Sequence, residues 1–271
     1  MIVVTGATGN VGRELVRILA EAGEQVTAVS RKPAEVPEGV RHIQADLAEP
    51  EQLRPALEGA DALFLLVAGE DPQGIVDRAR ESGFGRVVLL SSQGVATRPG
   101  VYRHAAGFEE AVSRSGLEWT VLRSGGLNSN SFAWAESIRT RRTAEAPFGE
   151  VGLPTVDPAD VAEVAAAVLR GGGHAGRIHE LTGPALTTPR ERAEAIGAAL
   201  GEPVRFVEQT REEAAAQMSA FMPEPVVQGT LAILGAPLPA ELVPSPAVER
   251  ILGRPARPFA DWAARSTPAF R

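Results

Sequence analysis

Residues 102–106 read "YRHAA" and put a phenol and an imidazole two positions apart. Tyr102 is the only tyrosine of the 271-residue chain, and His104 is one of four histidines. A phenol beside an imidazole can serve as the acid and base of an active site. The same residues also suit the first turn of a helix. Which reading holds depends on what the rest of the chain binds.

A second constellation bears on that. "TGATGNVG" (5–12) places Gly6, Gly9 and Gly12 between a β-branched apolar run, "IVVT" (2–5), and an apolar helical stripe. Each glycine has a physical use: a tight turn at Gly6, close backbone approach to a pyrophosphate at Gly9, and helix-to-strand packing at Gly12. The helix start offers N–H groups and a partial positive charge to phosphates. Thr8, Asn10 and Val11 belong to the same expected dinucleotide cradle. The next strand ends "VSRKP", with Ser30, Arg31 and Lys32 where a carboxylate would select NAD. Arg31 can instead pair with a 2′-phosphate and stack on adenine. NADP(H) is therefore the expected cofactor, with NAD(H) second. In "ADL" (45–47), Asp46 either accepts the adenine amino hydrogen or caps a helix, and Leu47 goes with it.

Elements that would position these residues are legible as alternating patterns. Short apolar runs at 2–5, 25–30, 40–44, 61–68, 85–92, 118–123 and 177–182 read as strands. Helical stripes fall near 11–22, 50–58, 72–82, 102–115, 131–139, 158–170, 189–200 and 211–222. Alternation with short turns predicts an α/β, doubly wound parallel Rossmann sheet. A smaller, mostly helical C-terminal substrate lobe should pack on the sheet's C-terminal edge, where such folds bind ligands. The expected division is a dinucleotide-binding domain over 1–150, with 156–182 returning to the sheet, and the lobe over 183–271. Val67 and Ala68, closing the fourth strand, are expected beside the cofactor, as is Ser91 at the end of the fifth.

Composition removes several function classes. There is no cysteine, so thiolate chemistry is absent and a reducing cytoplasm is expected. Net charge is −7 and no basic cluster interleaves with aromatics, which argues against nucleic acid as a partner. No apolar stretch approaches the roughly 18 residues of a membrane span. His42, His104, His174 and His179 form no ligand-spaced helical pair, so no metal site is expected. Heptads are absent, and an oligomer is possible but not indicated. The expected partner is a small-molecule substrate.

"TGATGNVG", "SRKP", "ADL", "SGLEWTVLRSGGLNSN" (115–130), "VDPADVAEVAAAVL" (156–169) and "GRPARPFADWA" (253–263) together resemble the NmrA-like branch of the atypical short-chain dehydrogenase/reductase superfamily. The resemblance implies a Rossmann fold, bound NAD(P) and a cleft between sheet and lobe. It also implies either a small-molecule reductase, quinone reductases among them, or a catalytically silent redox-sensing regulator acting through a protein partner. It sets Gly125, Gly126, Leu127 and Asn130 beside the nicotinamide, although glycines and asparagines also simply make turns.

Standard members of that superfamily use a serine and a Tyr-x-x-x-Lys pair. Here Ser92 and Tyr102 are in the right region, but position 106 is alanine. Without a neighbouring cation the phenol should remain a hydrogen-bond donor and a poor base. His104 is one position out of register with the branch's histidine, counted from Glu109. Hydride transfer to a ketone needs acid–base help worth roughly 10²- to 10⁴-fold. A quinone or similarly activated acceptor needs far less, because its anion is delocalised. The expected activity is therefore NADPH-dependent reduction of a small apolar, activated acceptor, quinone-like or a cyclic enone or carbonyl. Phe132, Trp134, Met218, Phe221 and Met222 either wall an acceptor pocket or form core. In "VDPAD", Asp157, Pro158 and Asp160 read as a helix start.

Overall fold

The computed structural model describes residues 1–83 and 85–271. The first half alternates strand and helix: β1 (Ile2–Thr5), α1 (Gly12–Glu21), β2 (Val26–Ser30), β3 (Arg41–Gln44), α2 (Arg54–Leu57), β4 (Ala62–Leu66), α3 (Pro72–Glu81), β5 (Arg86–Ser92), α4 (Gly94–Thr97), α5 (Arg103–Ser113) and β6 (Glu118–Ser124). After α6 (Ala135–Arg141) and β7 (Thr143–Ala146), helix α7 (Pro158–Arg170) leads back to the sheet as β8 (Arg177–Leu181). The sheet is parallel throughout, in the order β3-β2-β1-β4-β5-β6-β8.

Strand order reverses between β1 and β4, and the crevice beyond the carboxyl ends at such a switch point is where these folds bind ligands. Backbone pairing of β1 with β4 ends at Val4 and Phe64. The buried Thr5 hydroxyl then bridges the strands, donating to the Phe64 carbonyl at 3.0 Å and accepting from the Leu66 N–H at 2.9 Å. Strands β1 and β2 are buried at every position because helices cover both sheet faces. On one face Leu15 and Leu19 of α1 are fully buried with Val161, Val164 and Ala165 of α7. On the other, Ile75 and Val76 of α3 pack with Phe108 and Val112 of α5. Each such large side chain stabilises the sheet by about 1.5–3 kcal/mol.

The rest of the chain is α8 (Pro189–Leu200), β9 (Arg205–Glu208), α9 (Arg211–Ser219), α10 (Glu224–Gly235), α11 (Ala247–Leu252) and α12 (Phe259–Arg265). Strands β7 and β9 pair in a second, two-stranded parallel sheet. Helix α10 is a full twelve residues, where the sequence suggests only short helical patches among prolines and glycines. Its glycines permit close contact: a Cβ at Gly229 would lie 2.4 Å from the Val101 side chain, and one at Gly235 would lie 2.6 Å from the Phe148 ring.

Packing does not divide the chain at residue 150. Ile138 and Ala144 join the lobe core with Ile196, Phe259 and Trp262, so the lobe recruits the segment around β7. Conversely, Ala247 and Val248 of α11 belong to the sheet-side core with α7. The "VDPAD" residues build this join. Asp157 caps α7 by accepting from the Ala159 N–H at 2.9 Å and also pairs with Arg265. Asp160, fully buried, receives Arg254 at 2.8 Å, the Arg257 guanidinium, and the Arg257 N–H at 2.7 Å. Thus "DPADVA" and "GRPARP" are two halves of one ionic clamp.

Candidate active site

The glycine loop turns back on itself after β1. Gly6 has φ +63°, the left-handed region that favours glycine, and its N–H neighbour Ala7 donates to the Val29 carbonyl at 3.0 Å. A Cβ on Gly12 would lie 2.1 Å from the Gly6 carbonyl oxygen, so the loop can meet α1 only without one. Gly9 differs. A Cβ there would sit 3.3 Å from the same oxygen and touch nothing else, on a loop whose Thr8, Gly9 and Asn10 are exposed. No side chain caps α1, whose start at the buried Val11 faces this open side. The cradle fits a pyrophosphate.

Further along the carboxyl edge, the buried Ser30 hydroxyl donates to the Lys32 carbonyl at 2.7 Å and lies 2.8 Å from His42 Nε2. Arg31 and Lys32 are exposed and in no ion pair among the described residues. Asp46 Oδ1 accepts from the Ala48 N–H at 3.0 Å, a turn bond and not a helix cap, since the 3-10 helix at Pro50–Leu53 starts from Glu49 without a side-chain cap. Leu47 is buried, and Gly69 (φ +82°) draws the loop carrying the half-buried Val67 and Ala68 onto its carbonyl, where a Cβ would come within 2.3 Å. The edge from Gly9 to Ala68 thus has a bare backbone cradle at one end and two unpaired cations at the other.

Beyond β5 and β6 a cavity of about 480 Å³ opens between sheet and lobe. Ser92, Tyr102, Gly125, Gly126 and Asn130 line its sheet side. Trp134, Leu153, Met218, Met222 and Leu234 give it apolar walls, and Phe221, largely exposed, stands at its margin. The Tyr102 ring fills the space a side chain would take at Gly94. Burial pushes its phenol above the usual tyrosine range, opposed by the Ser92 hydroxyl beside it. Ser92 Oγ also accepts the Gly94 N–H at 3.1 Å. Arg98, the nearby cation, is engaged by Glu241 at 2.7 and 2.8 Å. The phenol is therefore a neutral donor facing an apolar space.

Other expected residues lie elsewhere. His104 does not line the cavity: it is half-exposed on the outer face of α5, edge-on to Phe108 and 3.9 Å from Glu70. One helical step separates it from the turn that aims Tyr102 inward. Ser91 points to the opposite sheet face, as strand alternation dictates, and its hydroxyl donates to the buried Glu109 at 2.6 Å, beside Arg123. Leu127 packs against the sheet-side core and bridges to Val156. Phe132 joins Trp262 and Phe270 in the lobe core rather than the cavity wall. Two features escape sequence reasoning. Buried Asn128, Ser129 and Ser131, just after the Gly125–Gly126 turn, hold side-chain polar atoms with no partner. Arg192 of α8, 7% exposed, lines the cavity.

The profile of a family described as NAD(P)H-binding matches residues 6–171, more than half of the chain and all of the glycine cradle. The chain belongs to the NAD(P)H-binding family. It is an oxidoreductase of that family, and NAD(P)H is its cofactor. It is 37% identical to the (4-alkanoyl-5-oxo-2,5-dihydrofuran-3-yl)methyl phosphate reductase of Streptomyces griseus, over 100% of this chain and 99% of that one. With the NAD(P)H azoreductase of Xenophilus azovorans the identity is 32%, over 100% and 99%. The fold matches that of an Escherichia coli NADPH-dependent quinone oxidoreductase solved with NADPH (TM-score 0.80, 24% identity, 98% and 99% covered). It also matches that of NmrA, a negative transcriptional regulator solved with NADP (TM-score 0.76, 19% identity, 98% and 95% covered). No helix among the described residues is long and apolar enough to cross a membrane.

Proposed function

We propose that the chain is an NADPH-dependent reductase of a small, flat, activated acceptor, a quinone or a cyclic enone, seated in the cavity between sheet and lobe. The observation that carries this reading is a mostly apolar cavity, walled by Trp134, Leu153 and Met218 among others, into which the neutral phenol, Ser92 and two glycines also face. The dinucleotide, when bound, supplies two-electron hydride donation. Gly6, Gly9, Gly12 and the start of α1 would hold its pyrophosphate; Arg31 and Lys32 would hold a 2′-phosphate. Asp46, Leu47, Val67 and Ala68 would border its adenosine end, and Gly125 and Gly126 its reactive end.

The chain's own residues then have limited work. The apolar wall excludes water and fixes a planar acceptor against the glycine turn. Tyr102, held neutral by burial, donates a hydrogen bond to the acceptor oxygen as negative charge develops there. Ser92 orients that phenol. A delocalised anion needs no proton in the same step, which matches a site where alanine stands at position 106. Relatives named as reductases of a furanone phosphate and of azo compounds support an activated acceptor, since both are electron-poor π systems.

Steady-state NADPH consumption with 1,4-naphthoquinone, cyclohexenone and cyclohexanone tests the reading. Turnover should fall in that order, with cyclohexanone inert. A preference for cyclohexanone would mean that Tyr102 is a full proton donor for an ordinary carbonyl.

A further inference from the structure

Arg192 breaks a rule that the other inward-turned arginines of this chain obey. Arg98 is matched by Glu241, Arg123 by Glu109, and Arg254 and Arg257 by Asp160 and Glu163. Arg192 is more deeply buried than any of these and takes part in no ion pair among the described residues. Its Nε makes one long bond, 3.4 Å, to the Thr188 carbonyl, and its guanidinium carbon lies 5.9 Å from the centre of the Trp134 ring. Its terminal nitrogens have no partner, yet they are not sealed, because the residue lines the cavity. The neighbouring Glu191 is occupied in the capping box of α8, accepting the Thr188 N–H at 2.8 Å.

Arg192 is the only cation among the cavity's lining residues. Of the two acids there, Glu241 is matched by Arg98, and Glu145 pairs with the exposed Arg141 at 3.0 Å. A guanidinium stripped of water and left unpaired is costly, and a planar fork of donors is built to take an oxyanion in two bonds. The guanidinium lies over the Trp134 ring, and the two side chains line the same cavity. The cavity therefore presents an apolar slot with one unmatched positive charge in its wall.

We propose that Arg192 anchors an oxyanion on the acceptor, so that the preferred substrates are flat, apolar bodies bearing a short phosphomonoester or carboxylate arm. This rests on the reductase reading for the identity of the body, but the anion site itself is a property of α8 and Trp134. The arm would fix the orientation of the ring, with its reducible end toward Tyr102 and the Gly125–Gly126 turn at the opposite side of the same cavity.

The test uses probes that cannot be reduced. The protein saturated with NADP⁺ is titrated calorimetrically with 2-naphthylmethyl phosphate, 2-naphthylacetate and 2-naphthylmethanol, as wild type and as Arg192→Gln. At least one anionic probe should bind the wild type about tenfold or more tightly than the alcohol, the scale of a hydrogen bond to a charged group. Arg192→Gln should abolish that preference and leave the alcohol within about threefold, which also shows that the pocket survives. The tighter of the two anions identifies the arm as phosphate or carboxylate. Equal affinities for all three probes, no binding of either anion, or an equal loss of all three in the variant would overturn the proposal. Turnover of 1,4-naphthoquinone is read separately. Its failure with an intact Arg192-dependent preference sinks the reductase reading alone, and the converse sinks only the anion site.

Discussion

Arg98, half-buried behind the cavity wall, and Arg192, buried in that wall, do opposite things. Arg98, from the end of α4, reaches across to Glu241 and to the Ala236 carbonyl at 2.9 Å, tying the lobe to the sheet beside Tyr102. Burial alone would raise the Glu241 carboxyl, yet the Arg98 hydrogen bonds hold it below the usual range. Arg192 has no such partner, and burial lowers it to about 10. A satisfied buried charge is architecture. An unsatisfied one bordering a cavity is a cost that the fold carries, and a ligand can relieve it.

The largest expected effect comes from breaking the satisfied pair. Arg98→Ala leaves Glu241 buried and unpaired and should destabilise the protein by about 3–5 kcal/mol, measured by urea unfolding. Arg192→Met should do the reverse. The folded cation loses its proton near pH 10, well below the range in which the unfolded chain's arginine does. Above about pH 10 the unfolded state binds more protons, so stability rises with pH there, and the full penalty is present at all pH below about 10. At pH 7 the substitution should therefore stabilise the protein, by about 1–4 kcal/mol, the scale of replacing buried charge with well-packed apolar side chains. A destabilised Arg192→Met would show that the side chain has a structural partner.

Arg31 sharpens the contrast, being unpaired like Arg192 but exposed. Water already solvates it, so Arg31→Ala should leave unfolding unchanged within about 0.5 kcal/mol. It should weaken NADPH relative to NADH by about 1.5–3 kcal/mol in fluorescence titrations, the size of a charge-assisted hydrogen bond. The smallest expected effect is at Tyr102. With the phenol held neutral above its usual range, its donor role should be constant from pH 6 to 9, because loss of its proton begins only higher. Tyr102→Phe should cost less than about 100-fold in kcat/KM for 1,4-naphthoquinone, the low end of general-acid effects. A loss near 10⁴-fold would make the phenol the proton source and the substrate an ordinary carbonyl.

The two sides of the cavity were also unequally legible in the sequence. The sheet side reads plainly, because strands covered on both faces must be apolar throughout and a helix stripe must recur every three to four residues. "IVVT" and "DALFLLVA" obey the first rule; Leu15, Ile18 and Leu19 obey the second. Gly6 and Gly12 are legible because each meets a local demand, a left-handed turn at Gly6 with the Leu66 side chain 2.0 Å from where a Cβ would sit, and the Gly6 carbonyl oxygen 2.1 Å from a Cβ at Gly12. On the lobe side, β7 and β9 are four-residue strands of mixed polarity that carry no period-two signal. Helix α10 hides behind Pro225, Gly229 and Gly235, whose packing partners Val101 and Phe148 lie far away in sequence. His104 and Tyr102 look alike in "YRHAA", and only the angle of the α5 start separates the outward imidazole from the inward phenol. Arg192 sits in "PRERAEA", which reads as a solvated first turn. Its burial comes from Trp134, 58 positions earlier (192 − 134), and no local pattern reports it.

The most direct test of the whole reading is NADPH oxidation with 1,4-naphthoquinone, followed at 340 nm for the wild type and for Gly9→Val. A Cβ at Gly9 meets only the Gly6 carbonyl oxygen, at 3.3 Å, so a shift of a few tenths of an ångström in this exposed loop accommodates it, and the fold should survive by circular dichroism while the pyrophosphate is displaced. Wild-type protein should turn over repeatedly and saturate in both reactants, and Gly9→Val should lose NADPH affinity and turnover together. Wild-type protein that binds NADPH tightly yet consumes none with any quinone would contradict the reductase and leave a cofactor-reading regulator in its place.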